Sequence, residues 1–534
     1  MLHLKSKNNK SMEDSFIILS RKITNNFLRD IVFIDERAYS PIQPNGERQE
    51  VLVNDFDAST VSASFCKQGK ICAIYAPQKD TDIDSCIDAI KKADAVVLDW
   101  NLQLEQTEVY NPLDDDENDE RGKYTLKIID QILEDAGDSK IKLIIIYTGE
   151  PNLHDINDQI ANNFSEYGIE RDKIDIACNK KNVRIVVRAK DTVQFNHVEQ
   201  YRDKIVKYKD LPDEIVNEFT RLTIGLLSNY ALSAISVIRD NTSNILGIFS
   251  NDIDAAFLGH YISIDNSDDA ILMLSELFGS AISDLLKAEK IDVKSWIELW
   301  IDHFASNQRN IQFAGRNIEI NAGVLKTIIS ITNGELHEKL NAANYTVSKN
   351  NEEKYKKDAI KLFSTSDNTD TSNYQLAKLI QHKDIFSSKK TTHKLSTGTI
   401  VKVGQNDTTK YLLCVQQRCD SVRLSEGEQR NFLFLPLKEG NGGEAVVIDA
   451  HKHLILNKKS YALESYAFSA TEQETSVITQ DRDGQSVFID ANGNLFEWVA
   501  ELKDLFAQHL VALYTAELSR VGIDNSEWIR LIGK

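Results

Sequence analysis

Several apolar segments of this 534-residue chain end abruptly on side chains that could do chemistry. The run 95–98 reads as a strand that ends on Asp99, and the run 31–34 ends on Asp35 and Glu36. Short apolar runs of this kind are typical of strands covered on both faces, as in a parallel sheet. Ligand and catalytic groups gather beyond the carboxyl ends of such strands. We therefore expect the three carboxylates at one edge of a sheet.

Two further runs add a hydroxyl and a cation to the same predicted edge. The run 141–147 ends on Thr148, and the run 183–189 ends on Lys190. Arg188 is the alternative cation if the last strand is shorter than predicted.

These residue types together predict a phosphoryl-accepting magnesium site. Neighbouring carboxylates repel one another unless a divalent cation lies among them, and an oxygen-rich site that retains water suits Mg²⁺. Asp99 would then be a nucleophilic carboxylate able to take a phosphoryl group. Thr148 and Lys190 would hydrogen-bond to the phosphoryl oxygens and neutralise their charge.

The segments between these strands have helical spacing. A short helix is predicted at 58–65, a strand at 70–76, and isoleucines at 83, 87 and 90 mark a helix that leads into the Asp99 strand. Alternating strands and helices predict a right-handed, doubly wound parallel sheet.

The order of these motifs resembles the receiver domain of response regulators. More closely, it is similar to the enlarged variety called the response receiver domain, found at the head of long bacterial signalling and conflict-system proteins. The resemblance covers roughly residues 25–195 and rests on IDER, VLDWNL, IIIYTGE and VVRAKD. It implies a receiver-like, flavodoxin-like fold and phosphorylation of Asp99.

The resemblance also implies roles for the other residues. Asp35, Glu36, Asp99 and the backbone carbonyl of Asn101 would hold Mg²⁺, Thr148 would be the switch hydroxyl, and Lys190 (or Arg188) would lie beside the phosphate. The chain departs from an ordinary receiver in its spacing, because 64 positions separate Asp35 from Asp99 and 49 separate Asp99 from Thr148. No proline follows Lys190.

Composition bounds the remaining classes of function. The formal charge of −19 argues against general binding to nucleic acid or to an anionic membrane. The sequence contains no apolar run of 18 residues and no apolar N-terminal signal segment, so we expect no membrane span. Six cysteines without a CxxC pair fit a reducing compartment, and we expect a cytoplasmic protein.

Changes in pattern along the chain predict several domains. The receiver-like α/β domain is followed by an all-α region and then by a small antiparallel β-barrel-like domain with a C-terminal helix. The predicted boundaries are 1–28 for an N-terminal lead-in, 29–198 for the α/β domain with insertions, 199–349 for the helical domain, 350–392 for a linker and helix, 393–490 for the β domain and 491–534 for a C-terminal helical segment.

One polar stretch in the β region stands apart from this scheme. The sequence QQRCDSVR at 416–423 follows a predicted strand. A nucleophilic Cys419 would need a nearby base and a lowered pKa. Catalysis, ligand binding and a structural polar corner all remain open for this stretch.

Three functions are compatible with the sequence. The first is a phosphorylation-controlled signalling protein that receives its phosphoryl group from a histidine-kinase-like ATPase, with no catalysis beyond phosphoacceptance and self-dephosphorylation. The second is an unphosphorylated pseudo-receiver that serves as an interaction scaffold in a bacterial, defence-type (antiviral) system. The third is a Mg²⁺-dependent phosphohydrolase, although the second aspartate of that signature is replaced by Arg37 and Asn101. The downstream target and any self-association to a homo-oligomer stay open.

Overall fold

The computed structural model describes most of the chain. The described residues are 14–39, 56–105, 121–191, 199–265, 267–306, 308–365, 369–383, 392–404, 409–425, 427–442, 444–459, 462–470 and 475–518. The chain divides into two compact units, one of residues 1–309 and 320–332, the other of residues 310–319 and 333–534.

The first unit is built on one twisted sheet whose strands are mostly parallel. The strands are β1 (Asp30–Ile34), β2 (Ile71–Tyr75), β3 (Ala95–Leu98), β4 (Lys142–Thr148), β5 (Glu170–Arg171), β6 (Ala177–Lys180), β7 (Val183–Lys190) and β8 (Ile205–Val206). Their order is β2-β1-β3-β4-β7-β6-β5, and β8 also pairs with β7. The first five strands of this path pair in parallel in the order of a flavodoxin-like doubly wound sheet. The antiparallel β5–β6 pair extends the sheet beyond β7.

Helices cover both faces of this sheet. They are α1 (Ser15–Phe27), α2 (Ala58–Lys67), α3 (Asp80–Lys92), α4 (Lys123–Ala136), α5 (Leu153–Asn163) and α6 (Leu211–Thr223). Buried residues of α3, α4 and α5 form one apolar core with alternate strand residues such as Val96 and Ile144. Buried residues of α1, α2 and α6 form a second core with the intervening strand residues, such as Val97 and Ile145. The predicted fold class of the N-terminal region is therefore confirmed.

A helical region follows the sheet. Its helices are α7 (Leu226–Asp240), α8 (Thr242–Ile248), α9 (Asp254–Ser263), α10 (Ser267–Glu289), α11 (Val293–Phe304) and α12 (Ala322–Ser330). The expectation of helix throughout was wrong at two places in the described residues, because β8 joins the first sheet and strands β9 (Arg309–Phe313) and β10 (Arg316–Ile320) form a hairpin. Ala314 and Gly315 make the turn with φ values of 51° and 80°. This left-handed backbone closes the hairpin.

The second unit contains helices and one antiparallel sheet. The helices are α13 (Leu336–Ala342), α14 (Glu352–Asp358), α15 (Asp370–Gln381), α16 (Arg418–Ser421) and α17 (Asp504–Leu518). The strands are β11 (Thr399–Val403), β12 (Lys410–Cys414), β13 (Gln429–Glu439), β14 (Val446–Val447), β15 (His453–Leu456), β16 (Glu464–Ser469), β17 (Gln480–Arg482), β18 (Gln485–Ile489) and β19 (Leu495–Glu501). The main path is β14-β15-β13-β12-β11-β19-β18-β17, with β16 paired to β13. Buried phenylalanines, among them Phe434 and Phe496, fill its core.

One predicted helix of this unit is a strand in its first part. The segment 495–501 pairs with β11 on one side and β18 on the other, whereas the sequence pattern predicts that it belongs to the C-terminal helical segment 491–534. Alternate side chains such as Phe496 and Ala500 are buried. Strand pairing and side-chain packing therefore make this segment a strand, although its local sequence pattern favours a helix. In the described part of the chain, no helix combines the length and apolar character needed to cross a membrane.

Candidate functional site

Three carboxylates meet at the carboxyl edge of the first sheet. β1 and β3 are neighbours in which Ile34 pairs with Leu98, so Asp35 and Asp99 leave the sheet side by side. The backbone N–H of Asp99 donates to the carbonyl of Ile34 at 2.9 Å. Oxygen atoms of Asp35, Glu36 and Asp99 all lie within 4.8 Å of one another. The predicted convergence of strand ends thus brings these acids together.

The acids are buried and only partly satisfied by hydrogen bonds. Asp35 is fully buried and Asp99 is 6% exposed. One oxygen of Asp99 accepts the N–H of Trp100, and one oxygen of Asp35 accepts the N–H of Arg37, both at 2.9 Å. Glu36 accepts the Arg37 side chain through Oε1, whereas its buried Oε2 has no hydrogen-bond partner among the described residues.

Lys190 supplies the positive charge of this cluster. Its Nζ lies 2.7 Å from Asp35 Oδ2 and 3.3 Å from Asp99 Oδ2. The rings of Phe56 and Tyr147 each lie 5.9 Å from the same nitrogen. The strand β7 therefore delivers its last side chain between two acids that come from other strands.

Burial and mutual repulsion change the acidity of these groups. Burial raises the pKa of Asp99 to about 7, with further repulsion from Asp35 and Glu36, even though Lys190 acts in the opposite direction. Burial and the Asp35 charge also raise the pKa of Glu36. Burial disfavours the charged form of Lys190, but the carboxylates of Asp99 and Asp35 outweigh it and raise its pKa.

This donor set fits a hard divalent cation. Carboxylate oxygens are the ligands that Mg²⁺ takes, together with retained water. Lys190 and Arg37 together leave the three acids with excess negative charge, and the unpartnered Oε2 of Glu36 lacks the compensation that a buried acceptor requires. A metal ion among Asp35, Glu36 and Asp99 would neutralise the excess negative charge and would give Oε2 of Glu36 a partner.

The remaining predicted residues lie at or near this edge, with one exception. Thr148 ends β4 and is buried, and its hydroxyl oxygen accepts the N–H of Glu150 at 3.0 Å. Asn101 follows Asp99 by two positions and is half-buried. Arg188 does not reach the acids, because its guanidinium pairs with Glu214 at 2.5 Å on the α6 side of the sheet. Lys190, and not Arg188, is the cation that contacts Asp99.

A backbone connection behind the site was not predicted. Residues Ala189 and Lys190 of β7 pair in parallel with Ile205 and Val206 of β8. The hydroxyl of Tyr147, next to Thr148, donates to the carbonyl of Val206 at 2.6 Å. Lys190 and Tyr147, the residue before Thr148, are therefore both connected to the short strand β8.

A buried ion-pair network between β7 and α6 also escaped prediction. The guanidinium of Arg184 contacts Glu218 at 2.7 Å, and that of Arg188 contacts Glu218 at 3.0 Å and Asp175 at 2.8 Å. Burial opposes ionisation of Asp175, but Arg188 and Lys204 outweigh it and hold the pKa of this carboxyl well below its usual range. Two arginines four positions apart in an otherwise apolar strand were the available signal, because they had to share one face.

The turn after Asp99 is held by packing. Trp100 is buried, and Gly122 at the start of α4 lies so close that a Cβ there would come within 2.3 Å of the indole. The hydroxyl of Thr125 donates to the carbonyl of Asp99 at 2.7 Å. Helix α4 thus fixes the backbone that presents the Asp99 carboxylate.

The structure leaves the polar stretch at Cys419 undecided. The side chains of residues 418 and 419 lie outside the described part of the chain. His393, the nearest preceding histidine in the sequence, stacks on Trp498 with ring centroids 3.7 Å apart. A nucleophilic role for Cys419 stays a prediction.

Comparison with known proteins identifies the family of the segment that holds the site. Residues 27–195 match the family model described as response receiver domain. This segment contains Asp35, Glu36, Asp99, Thr148 and Lys190 and makes up about a third of the chain, and the predicted resemblance is confirmed for it. The search of curated proteins and the search of solved structures each found no match.

Proposed function

We propose that the protein is a phosphorylation-controlled regulator whose Asp99 accepts a phosphoryl group in a Mg²⁺-dependent reaction. The observation that carries the proposal is the cluster itself, in which Asp99 lies against Asp35, Glu36 and the Nζ of Lys190 at the end of a receiver-like sheet. Bound Mg²⁺ would stabilise the negative charge on the transferring phosphoryl group.

The side chains of the chain supply the rest of the chemistry. An oxygen of Asp99 attacks phosphorus as the bond to the donor breaks, so that an acyl phosphate forms and the leaving group takes a proton. Lys190 shares its charge between Asp35 and Asp99, and therefore already lies where phosphoryl oxygens would be neutralised. Thr148 uses its oxygen to accept from Glu150, which leaves its hydrogen for a phosphoryl oxygen.

The donor we propose is a histidine-kinase-like ATPase, in which a phosphohistidine P–N bond breaks. The chain itself has no glycine-rich ATP lid of the kinase type in its sequence. Hydrogen bonds from Lys190 and Thr148 to the phosphoryl group would shift the position of β8. Val206 of this strand pairs with Lys190 through the backbone, and its carbonyl accepts the hydroxyl of Tyr147, the residue before Thr148. A local change of charge would thereby reach the segment that leads into α6.

Phosphoryl uptake is the direct test. Wild-type protein incubated with acetyl phosphate and Mg²⁺ should gain one phosphoryl group by intact mass, and EDTA should prevent the gain. Asp99→Asn should gain none, whereas the control Asp30→Asn, at an exposed position that starts β1, should behave as wild type.

Two outcomes would contradict the proposal. Absence of uptake by folded wild-type protein with Mg²⁺ bound would favour an interaction scaffold with an unphosphorylated site. Steady release of phosphate from unrelated phosphomonoesters, lost in Asp99→Asn, would favour a phosphohydrolase.

A further inference from the structure

Arg37 follows the two acids at the end of β1 and contacts both of them. Its backbone N–H donates to an oxygen of Asp35 at 2.9 Å, and its Nε donates to Oε1 of Glu36 at 3.0 Å. The side chain of Arg37 is 51% exposed, whereas that of Glu36 is 8% exposed. The arginine therefore lies at the surface and holds a carboxylate that is buried.

The turn after β1 fixes the backbone of Glu36 but not its side chain. The N–H of Ala38 donates to the carbonyl of Asp35 at 3.1 Å, and Nε2 of Gln78 donates to the carbonyl of Glu36 at 3.3 Å. A glutamate side chain rotates about several bonds, so a fixed backbone still leaves its carboxylate a choice of directions. Among the described side chains, Arg37 is the donor that selects one of these directions.

The two oxygens of Glu36 have different surroundings. Oε1 accepts from Arg37, and Oε2 is buried without a hydrogen-bond partner in the part of the chain that the structure describes. An oxygen of Glu36 lies within 4.8 Å of oxygens of both Asp35 and Asp99. A buried acceptor without a partner is rare, because it has lost its hydrogen bonds to water. Oε2 is therefore the oxygen of Glu36 that is left for a further ligand.

We propose that Arg37 is a positioning residue of the metal site, which holds Oε1 of Glu36 so that Oε2 faces the cation. This inference rests on the proposed function, in which Mg²⁺ is the cation that the three acids hold. Groups that hydrogen-bond to metal ligands fix the orientation of those ligands, and their loss typically weakens metal binding about 10–100-fold.

The charge of Arg37 has the opposite effect on metal binding. Burial disfavours the charged form of Arg37, but the carboxylates of Glu36, Asp99 and Asp35 outweigh it and raise its pKa. A charged guanidinium beside these acids repels a cation. If Arg37 acted through its charge alone, its removal would strengthen Mg²⁺ binding, whereas loss of positioning weakens it.

Isothermal titration of the metal-free, full-length protein with Mg²⁺ separates the two effects. Arg37→Gln and Arg37→Met both remove the charge. The Nε2 of glutamine is as many bonds from Cα as the Nε of arginine, so the glutamine can donate to Oε1 and the methionine cannot. The dissociation constant of Arg37→Gln should equal or fall below that of wild type, and that of Arg37→Met should be about tenfold higher than that of Arg37→Gln.

Two controls locate the effect at Glu36. Arg171 of β5, at the far end of the sheet, is 50% exposed and pairs with Asp158, so Arg171→Met should leave Mg²⁺ binding unchanged. The difference between Arg37→Met and Arg37→Gln should disappear when Glu36→Ala removes the carboxylate through which they act. Circular dichroism should show the same helix content in all these proteins.

The results that would overturn the proposal differ from those that would overturn the metal site. If wild type binds Mg²⁺ but Arg37→Met and Arg37→Gln have equal dissociation constants, Arg37 does not position Glu36, and the proposed function stands. A difference between the two variants that persists without the Glu36 carboxylate leads to the same conclusion. Wild-type protein that binds no Mg²⁺ would overturn the metal site itself, and with it both proposals.

Discussion

Lys190 favours the ionised form of Asp99, whereas burial and two neighbouring acids oppose it. Asp99 is buried beside two other acids, and its pKa is raised to about 7 chiefly because burial disfavours the charge. A carboxyl whose pKa is higher in the folded than in the unfolded protein destabilises the fold once it ionises. This cost is absent below about pH 4, where both forms are protonated, and complete above about pH 7.

We therefore expect Asp99→Asn to raise the stability of the metal-free protein. In EDTA at pH 8, the free energy of unfolding should increase by about 1–3 kcal/mol, because a buried charge is removed while Lys190 keeps Asp35 as its partner. Urea denaturation measures the change. At pH 4 the difference should largely vanish, and equal stabilisation at both pH values would contradict the assigned cause.

Metal affinity should follow the same ionisation. Mg²⁺ displaces the proton of Asp99, so its dissociation constant should rise about tenfold when the pH is lowered from 8 to 6. Isothermal titration measures the constant. Asp99→Asn should bind Mg²⁺ more weakly at both pH values and lose most of this pH dependence.

Sequence patterns could predict the acids and the lysine because each ends a buried apolar run. Strand termini of a parallel sheet share one edge, so Asp35, Asp99 and Lys190 had to come close once the strand order was right. The pattern could not choose between Lys190 and Arg188 by itself. That choice depends on Glu214 and Glu218, which lie further along the chain and form ion pairs with Arg188.

At the scale of elements, the two ends of α4 offer a matched comparison. Both caps are glycines with positive φ, 83° at Gly122 and 50° at Gly137, but Gly122 alone of the two has a neighbour, Trp100, where a Cβ would be placed. Alanine at Gly137 would meet nothing within 4 Å.

Gly122→Ala should therefore impair the site, whereas Gly137→Ala should not. Each substitution should cost about 1 kcal/mol or more from the positive φ. Gly122→Ala should cost more, because Trp100 must move, and should lower the rate of phosphoryl uptake, because Trp100 follows Asp99. Uptake from acetyl phosphate and urea denaturation measure the two effects. Equal uptake by both variants would contradict a role for this packing.

The β7–α6 network gives a second comparison between buried and exposed charges. Glu218 is 1% exposed in its side chain and serves both Arg184 and Arg188. Glu218→Gln should cost about 3 kcal/mol, since it removes a buried negative charge that both guanidinium groups share, although Asp172 and Asp175 remain as partners. Asp240→Asn, whose side chain is 65% exposed in its pair with Arg29, should cost less than about 1 kcal/mol. Similar losses for the two variants in urea denaturation would refute this ranking.

Errors in the predicted elements have identifiable physical causes. The alternating residues of β9 and β10 around Ala314 and Gly315 fit a hairpin, but they lie within a long stretch of helical spacing. The segment 495–501 can form either structure alone and becomes a strand because β11 and β18 pair with both its edges. Such pairings join residues far apart in sequence, where local patterns carry no information.

For the whole molecule, the division into two compact units predicts two unfolding events. Each unit has its own apolar cores, so we expect two transitions in calorimetry of the full-length chain. Mg²⁺ should raise the midpoint of one transition only, because the acids of the site all belong to the first unit. Asp99→Asn should shift the same transition in the absence of metal. A single transition that moves as a whole would show that the units unfold together.

The strand that carries Lys190 is hydrogen-bonded to neighbours on both sides. Strand β4 pairs with it along one edge, and β6 and then β8 pair with it along the other. A slip by one residue would turn the lysine to the opposite face of the sheet, and pairing on both edges prevents it. The position of Lys190 in the site is thus fixed by the hydrogen bonds between the strands and not by the loops and helices that connect them. The connection from Asp35 to Asp99 can therefore be long without changing the position of Lys190.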